Sequence, residues 1–153
     1  METADCRYFN GYKPCDKHDK CSRSCPHFSV ATVNIAIVHL EAMGAVLRST
    51  ALLPSIRKKY PGAHITWITM PHCVPLLLNN SLIDRVVSTD HQSLLELKAI
   101  SFDVCMVIDK SSLAVGIGRQ LDADLTFGFT ANRRNGAILP ATPAANELWQ
   151  LGL

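Results

Sequence analysis

A buried strand that runs directly into an amphipathic helix constrains this chain more than any other feature. The apolar, β-branched run at residues 33–38 is typical of a strand covered on both faces in a parallel sheet. Apolar residues recurring along one side predict a helix over residues 45–60, with a break near Leu53 caused by Pro54. Only a short connection, residues 39–44, separates the two elements.

That connection predicts a ligand site. It contains Glu41-Ala42-Met43-Gly44, and a glycine lets a ligand approach the backbone closely. The first amide groups of the next helix have no partner within the helix. Together these features indicate a site for an anion or a sugar.

The strand and helix patterns then alternate along the chain. Further strands are predicted at residues 64–69, 84–89, 103–108 and 124–129. Helices are predicted at residues 71–79, 91–100, from Ser111 onward and 143–151, and residues 130–142 are predicted to form a loop. The alternation predicts an α/β fold, a Rossmann-like, open, mostly parallel sheet of five strands with covering helices.

Residues 43–50, MGAVLRST, resemble the first loop of the heptosyltransferases, glycosyltransferase family nine. The match continues through residues 51–54, and shorter matches follow at residues 59–67, 82–86, 102–110, 127–129 and 146–153. The resemblance implies the N-terminal half of a GT-B type glycosyltransferase. It divides the chain into a Cys-rich leader, residues 1–30, and a Rossmann-like acceptor-side domain, residues 31–153, with the C-terminal nucleotide-sugar-binding domain absent.

The resemblance also implies a reaction. Enzymes of this family transfer heptose from ADP-heptose to the lipopolysaccharide core or a related cell-envelope glycan, without a metal at the active site. The family's base is an aspartate directly after the loop glycine, and Ala45 stands there in this chain. We therefore expect no sugar transfer from this chain alone. Glu41 lies in the same loop, but on the strand side of Gly44, so it would need a different loop path to act as the base.

Candidate acceptor-binding residues follow from the position rule for α/β sheets and from the resemblance. Ligands of such sheets bind at the carboxyl ends of the strands, where the loops after residues 40 and 108 would open together. An anionic lipid-linked or core oligosaccharide would be bound by Met43, Gly44, Arg48, Asp109 and Lys110. Asp109 has an alternative role as the cap of the helix that begins near Ser111.

Three weaker signals have structural interpretations. The motif Gly116-Ile117-Gly118 lacks the third glycine of a dinucleotide fingerprint, so close helix packing explains it better. Arg133 and Arg134 fit either an anion-binding loop or a solvated turn. The basic residues 57–59 are predicted to form a solvated helix end, complementary to the helix dipole.

The leader holds four of the six cysteines: Cys6, Cys15, Cys21 and Cys25. Thiolates grouped in this way suit zinc or an iron–sulfur cluster. Their irregular spacing also leaves free or regulatory thiols and disulfides open.

The overall composition excludes several classes of protein. The 153 residues, 48% of them hydrophobic, suffice for one core, and a formal charge of +2 gives no basis for a nucleic-acid surface. No apolar run approaches the roughly 20 residues of a membrane helix, and the amino terminus lacks the apolar core of a signal peptide. A cytoplasmic protein is expected, and the resemblance suggests the inner face of the bacterial inner membrane.

Three functions are therefore considered. The first is the amino-terminal part of a heptosyltransferase-like enzyme. The second is a non-catalytic glycan- or metal-binding module derived from the same fold. The third is an unrelated nucleotide-binding Rossmann domain, which the absence of a complete Gly-x-Gly-x-x-Gly after the first strand disfavours.

Overall fold

The structure, a computed structural model, describes residues 5–12 and 14–153. Its strands are β1 (Val33–Val38), β2 (Ala63–Thr69), β3 (Arg85–Ser88), β4 (Ser101–Val107), β5 (Asp122–Ala131) and β6 (Ile138–Pro140). Its α-helices are α1 (Met43–Ser49), α2 (Leu53–Lys59), α3 (His91–Leu97), α4 (Ser112–Gln120) and α5 (Pro143–Gln150). Short 3-10 helices lie at Thr50–Leu52 and Pro71–Leu76.

All six strands belong to one sheet, in the order β3-β2-β1-β4-β5-β6. Strand β1 pairs in parallel with β2 and β4, and β3 and β5 continue the parallel sheet outward on either side. Strand β6 pairs antiparallel with the end of β5. The prediction of a Rossmann-like, mostly parallel α/β fold is confirmed, and all five predicted strands form.

The first strand is buried on both faces, as its composition predicts. Successive side chains of a strand point to opposite faces. Ile35 and Ile37 accordingly pack with Trp67 in one core, while Ala36 and Val38 belong to the other. The central strand is thus held from both sides, and this fixes the place where its carboxyl end emerges.

The helical stretch after β1 is broken where the sequence predicts. A 3-10 turn at Thr50–Leu52 separates α1 from α2, and Pro54 lies in the first turn of α2. Proline has no backbone N–H and is tolerated where helical N–H groups have no partner. The predicted break near Leu53 is confirmed.

The predicted loop over residues 130–142 is wrong in part. Strand β5 continues to Ala131, which pairs with Ile138 at the start of β6. The indole Nε1 of Trp149 donates to the carbonyl of Ile138 at 3.0 Å and so ties α5 to this strand. Strand β6 has only three residues, too few for hydrophobic periodicity to predict it. It forms through its contacts with β5 and Trp149.

Among the basic residues, Lys58 and Lys59 are exposed as predicted, but Arg57 departs from the prediction. Arg57 does not lie at a solvated helix end, because its Nη2 is 2.6 Å from Asp84 Oδ2 and also donates to the carbonyl of Leu82 at 2.8 Å. Arg133 and Arg134 are both exposed in the connection between β5 and β6, which agrees with a solvated turn.

The two glycines of α4 differ in their surroundings. A Cβ at Gly118 would lie 2.5 Å from Cγ2 of Val107, so the helix approaches β4 closely there. A Cβ at Gly116 would meet no atom within 4 Å. Close packing is therefore confirmed for Gly118 and wrong for Gly116.

The leader lies beside the sheet rather than within its cores. Cys6 forms an antiparallel bridge with Val30, and the amide of Arg7 donates to the carbonyl of Ser29 at 2.8 Å. None of the described leader residues belongs to either core. Residues 1–4 and 13 of the predicted leader lie outside the described residues, and the domain division at residue 30 stays a prediction.

Candidate functional site

A crevice opens at the carboxyl ends of β1 and β4, the two neighbouring strands at the centre of the sheet. We call it the carboxyl-edge crevice. Its lining comprises His39, Leu40, Glu41, Ala42, Ala45, Ile108, Asp109, Lys110, Ser111 and Leu113. This is the edge at which open α/β sheets bind ligands.

Asp109 joins the two loops of the crevice. Its Oδ2 accepts from the backbone N–H of Leu40 at 3.1 Å and of Glu41 at 3.4 Å. The alternative role as a helix cap is wrong, because Ser111 caps α4 by accepting from the N–H of Ala114 at 3.2 Å. Asp109 therefore fixes the path of the chain after β1.

The loop takes a path that the sequence does not predict. Ala42, not Gly44, adopts the left-handed conformation, with φ 57°. Gly44 lies in the first turn of α1, and a Cβ there would meet no atom within 4 Å. Glu41 lines the crevice together with Ala45.

Sequence reasoning missed His39, which lies just beyond β1 on the crevice wall. Its Nδ1 is 2.6 Å from Oγ of Ser49, and that hydroxyl donates to the carbonyl of Ala45 at 2.8 Å. Since a hydroxyl has one proton, Nδ1–H must donate to Ser49 and Nε2 keeps its lone pair. Burial lowers the pKa of His39, and the negative charge of Asp109 partly opposes this. The rule that singled out Asp109 would have found His39 too, because both follow a buried strand.

The remaining predicted acceptor residues divide into two groups. Lys110 lines the crevice, but its side chain lies close to the end of the chain. Its Nζ is 2.5 Å from the position that a Cβ added at Gly152 would occupy. Met43, Gly44 and Arg48 are exposed on α1 and do not belong to the crevice lining. The structure thus brings together Asp109 and Lys110 but leaves the other three outside.

The four leader cysteines border a different cavity. Cys6, Cys15, Cys21 and Cys25 all line it, together with His27 and aromatic side chains. Within residues 5–12 and 14–153, no three His, Cys, Asp or Glu side chains are arranged to hold a metal ion as they stand. Across the same residues, no helix has the length and apolar character to span a membrane.

Comparison with solved structures identifies the fold. A glycosyl transferase family 9 protein from Veillonella parvula DSM 2008 superposes with a TM-score of 0.57 at 19% identity, covering 67% of this chain and 33% of that one. The E. coli heptosyltransferase WaaC with ADP gives 0.57 at 14% identity, covering 77% and 45%. The E. coli ADP-heptose lps heptosyltransferase II gives 0.56 at 17% identity, covering 62% and 30%.

These solved structures show which class of fold the chain has. The chain has an α/β fold similar to part of the family 9 glycosyltransferases, and it spans less than half the length of each structure compared. No protein-family model matches the chain. No curated protein matches its sequence.

Proposed function

We propose that this chain is the acceptor-side part of a heptosyltransferase-like glycosyltransferase, with ADP-heptose as the donor class. The carboxyl-edge crevice carries the proposal, because it lies at the ligand-binding edge of a sheet whose structural neighbours are heptosyltransferases. One of those neighbours was solved with ADP-2-deoxy-2-fluoro heptose. The acceptor would be an anionic lipid-linked or core oligosaccharide of the cell envelope.

The proposed reaction needs a base at the crevice. An acceptor hydroxyl would attack the anomeric carbon of the heptose, the bond to ADP would break, and the hydroxyl proton would pass to a base. The resemblance puts that base at residue 45, where this chain has a methyl group. Ala45 lines the crevice, so the position is suitable while the residue is not. We therefore propose that this chain by itself transfers no sugar.

The charges of the crevice suggest separate roles. Lys110 would attract an anionic acceptor, since it is a cation on the crevice lining. Asp109 would act as a positioning residue, because its carboxylate accepts from two backbone amides of the opposite loop. Met43, Gly44 and Arg48 would contact only those parts of an acceptor that extend beyond the crevice.

A non-catalytic glycan-binding module is the second candidate. The observation that favours it is Ala45, since a chain that keeps the crevice but lacks the base would bind without transferring. Both candidates require the crevice to bind glycan. They differ in whether restoring a carboxylate restores chemistry.

The experiment compares Ala45→Asp with the unmodified chain, each supplied with the nucleotide-binding half of a heptosyltransferase in cis or in trans. ADP-heptose and a lipid A–Kdo acceptor are the substrates. We expect the aspartate variant to gain roughly a hundredfold or more, the usual contribution of general-base catalysis. Ala51→Asp is the matched control, because Ala51 is exposed in the 3-10 turn after α1 and is not part of the crevice lining.

If the unmodified chain already transfers heptose at the rate of Ala45→Asp, Ala45 is not the vacant base position. If every version binds the acceptor but none transfers heptose, the result favours the binding module.

A further inference from the structure

The four cysteines of the leader border the same cavity although their spacing in sequence is irregular. Cys6, Cys15, Cys21 and Cys25 all lie on its wall, although no three of these side chains stand close enough to hold a metal ion without rearrangement. All four are free thiols. The two remaining cysteines are buried in the sheet cores, so the leader's thiols form a separate group.

Backbone hydrogen bonds bring these thiols to the cavity. The bridge between Cys6 and Val30 closes the leader into a loop that contains the other three cysteines. Cys6, Cys15 and Cys25 each open a tight turn, because their carbonyls accept from the amides three residues later at 2.9, 3.4 and 2.9 Å. The chain path therefore contributes to placing the cysteines around the cavity.

Packing alone does not explain the order of this segment. No described residue from 5 to 30 is buried, and none enters either core. Segments with so small a core usually need disulfides or a metal to hold one structure. Four thiols around one cavity provide the ligands for such a cross-link.

We propose that Cys6, Cys15, Cys21 and Cys25 bind one zinc ion as thiolates. Each thiol would lose its proton to solvent as its bond to zinc forms, without oxidation or reduction. Zinc–sulfur bonds are about 2.3 Å long in a tetrahedral site, so the side chains must rotate inward from their present positions. Lys20 also lines the cavity and would offset part of the excess negative charge of four thiolates.

The location indicates a structural role for the ion. Arg7, next to the ligand Cys6, is paired with Asp84 at 3.4 Å, just before β3 at the amino edge of the sheet. The carboxyl-edge crevice lies at the opposite edge. Four protein ligands leave no open position for a substrate, which is typical of structural zinc.

Metal analysis of the full chain, produced with zinc in the medium and purified without chelator, tests the proposal. We expect about one zinc per chain, released when a mercurial reagent blocks the thiols. Cobalt in place of zinc should give the absorption of a tetrahedral thiolate complex. Cys105→Ala should keep the metal, because Cys105 is buried in the sheet.

Single Cys→Ser changes at the four positions should each lower zinc retention, and His27→Ala should not, although His27 borders the cavity. Less than about 0.2 equivalents of zinc in the unmodified chain would overturn the proposal, since a structural site retains its metal. Two leader disulfides, or iron with visible absorption from a cluster, would overturn it equally.

Discussion

The carboxylates at the two edges of the sheet differ in their hydrogen-bond partners. At the amino edge, Asp84 accepts from Arg57 at 2.6 Å, from the amide of Ile65 at 2.8 Å and from Arg7 at 3.4 Å. At the carboxyl edge, Asp109 accepts only backbone amides among its described hydrogen bonds, and exposed Glu41 lies beside it. At the amino edge the carboxylate is therefore held by cationic side chains, whereas at the carboxyl edge it holds backbone and leaves Glu41 exposed.

Removing each carboxylate tests this difference most strongly. Asp84→Ala leaves two largely buried arginines without their common partner, and we expect a loss of about 3 kcal/mol in the free energy of unfolding. Asp109→Ala removes two hydrogen bonds to backbone at a half-buried site and should cost about 1 to 2 kcal/mol. Urea unfolding of both variants measures the difference.

Asp103→Ala is the control for Asp84, because Asp103 is exposed and accepts from one amide, that of Asn34. Equal losses for Asp84 and Asp109 would remove the distinction between the edges.

Binding of an anionic glycan distinguishes a specific site at the carboxyl edge from general attraction by the positive charge of the chain. If the proposed function is correct, Lys110→Ala should weaken binding roughly tenfold, the loss of one charge-assisted hydrogen bond. Lys58→Ala should have little effect, because Lys58 is exposed at the end of α2. Titration at one fixed salt concentration measures both variants, and equal losses would mean that only overall charge matters.

Lys110 also lies against Gly152, so thermal unfolding of Lys110→Ala should accompany the titration. A weakened affinity in a chain that is equally stable assigns the effect to the crevice.

The strained residue of the crevice loop gives a smaller effect. Ala42 has φ 57°, a conformation that costs a residue with a Cβ about 1 kcal/mol or more. Ala42→Gly should therefore raise the free energy of unfolding by up to about 1 kcal/mol. Ala51→Gly, in the adjacent 3-10 turn, should lower it by a similar amount. Destabilisation by both changes would mean that the loop does not hold Ala42 in this conformation.

The pH dependence of stability should be the smallest effect. Burial lowers the pKa values of both His39 and His64 below their ordinary value of 6.5. Below pH 6.5 the unfolded chain therefore binds more protons than the folded one, and stability falls as the pH drops toward the folded pKa values. His39→Gln should flatten this fall, and the change should be well under the about 1.4 kcal/mol per pH unit of a whole proton. A slope that is unchanged in both His39→Gln and His64→Gln would contradict this.

The sequence predicted correctly those features that are determined by residues close together in the chain. The β-branched run of β1 and the position of Pro54 gave the central strand and the helix break, because burial and ring geometry act within a few residues. Arg57 was misread because its carboxylate partner lies 27 residues further along the chain. Strand β6 was missed because it forms only against β5 and Trp149.

The position rule put Asp109 and Lys110 at the carboxyl end of a buried strand, and both residues line the crevice there. The loop path was not predictable, because Asp109 fixes it through a bond to Leu40 across 69 positions. On that path Ala42 is left-handed, and His39 and Glu41 line the crevice.

Chemical-shift mapping of the unmodified chain tests the central claim most directly, that ligands bind at the carboxyl edge. The ¹⁵N-labelled chain would be titrated with a water-soluble, deacylated lipid A–Kdo glycan. The proposed function predicts that the amides of residues 39–45 and 108–113 shift most, while those of the leader and residues 63–65 and 84–85 stay nearly unchanged. Largest shifts at the amino edge or in the leader, or no shifts at millimolar glycan, would contradict it.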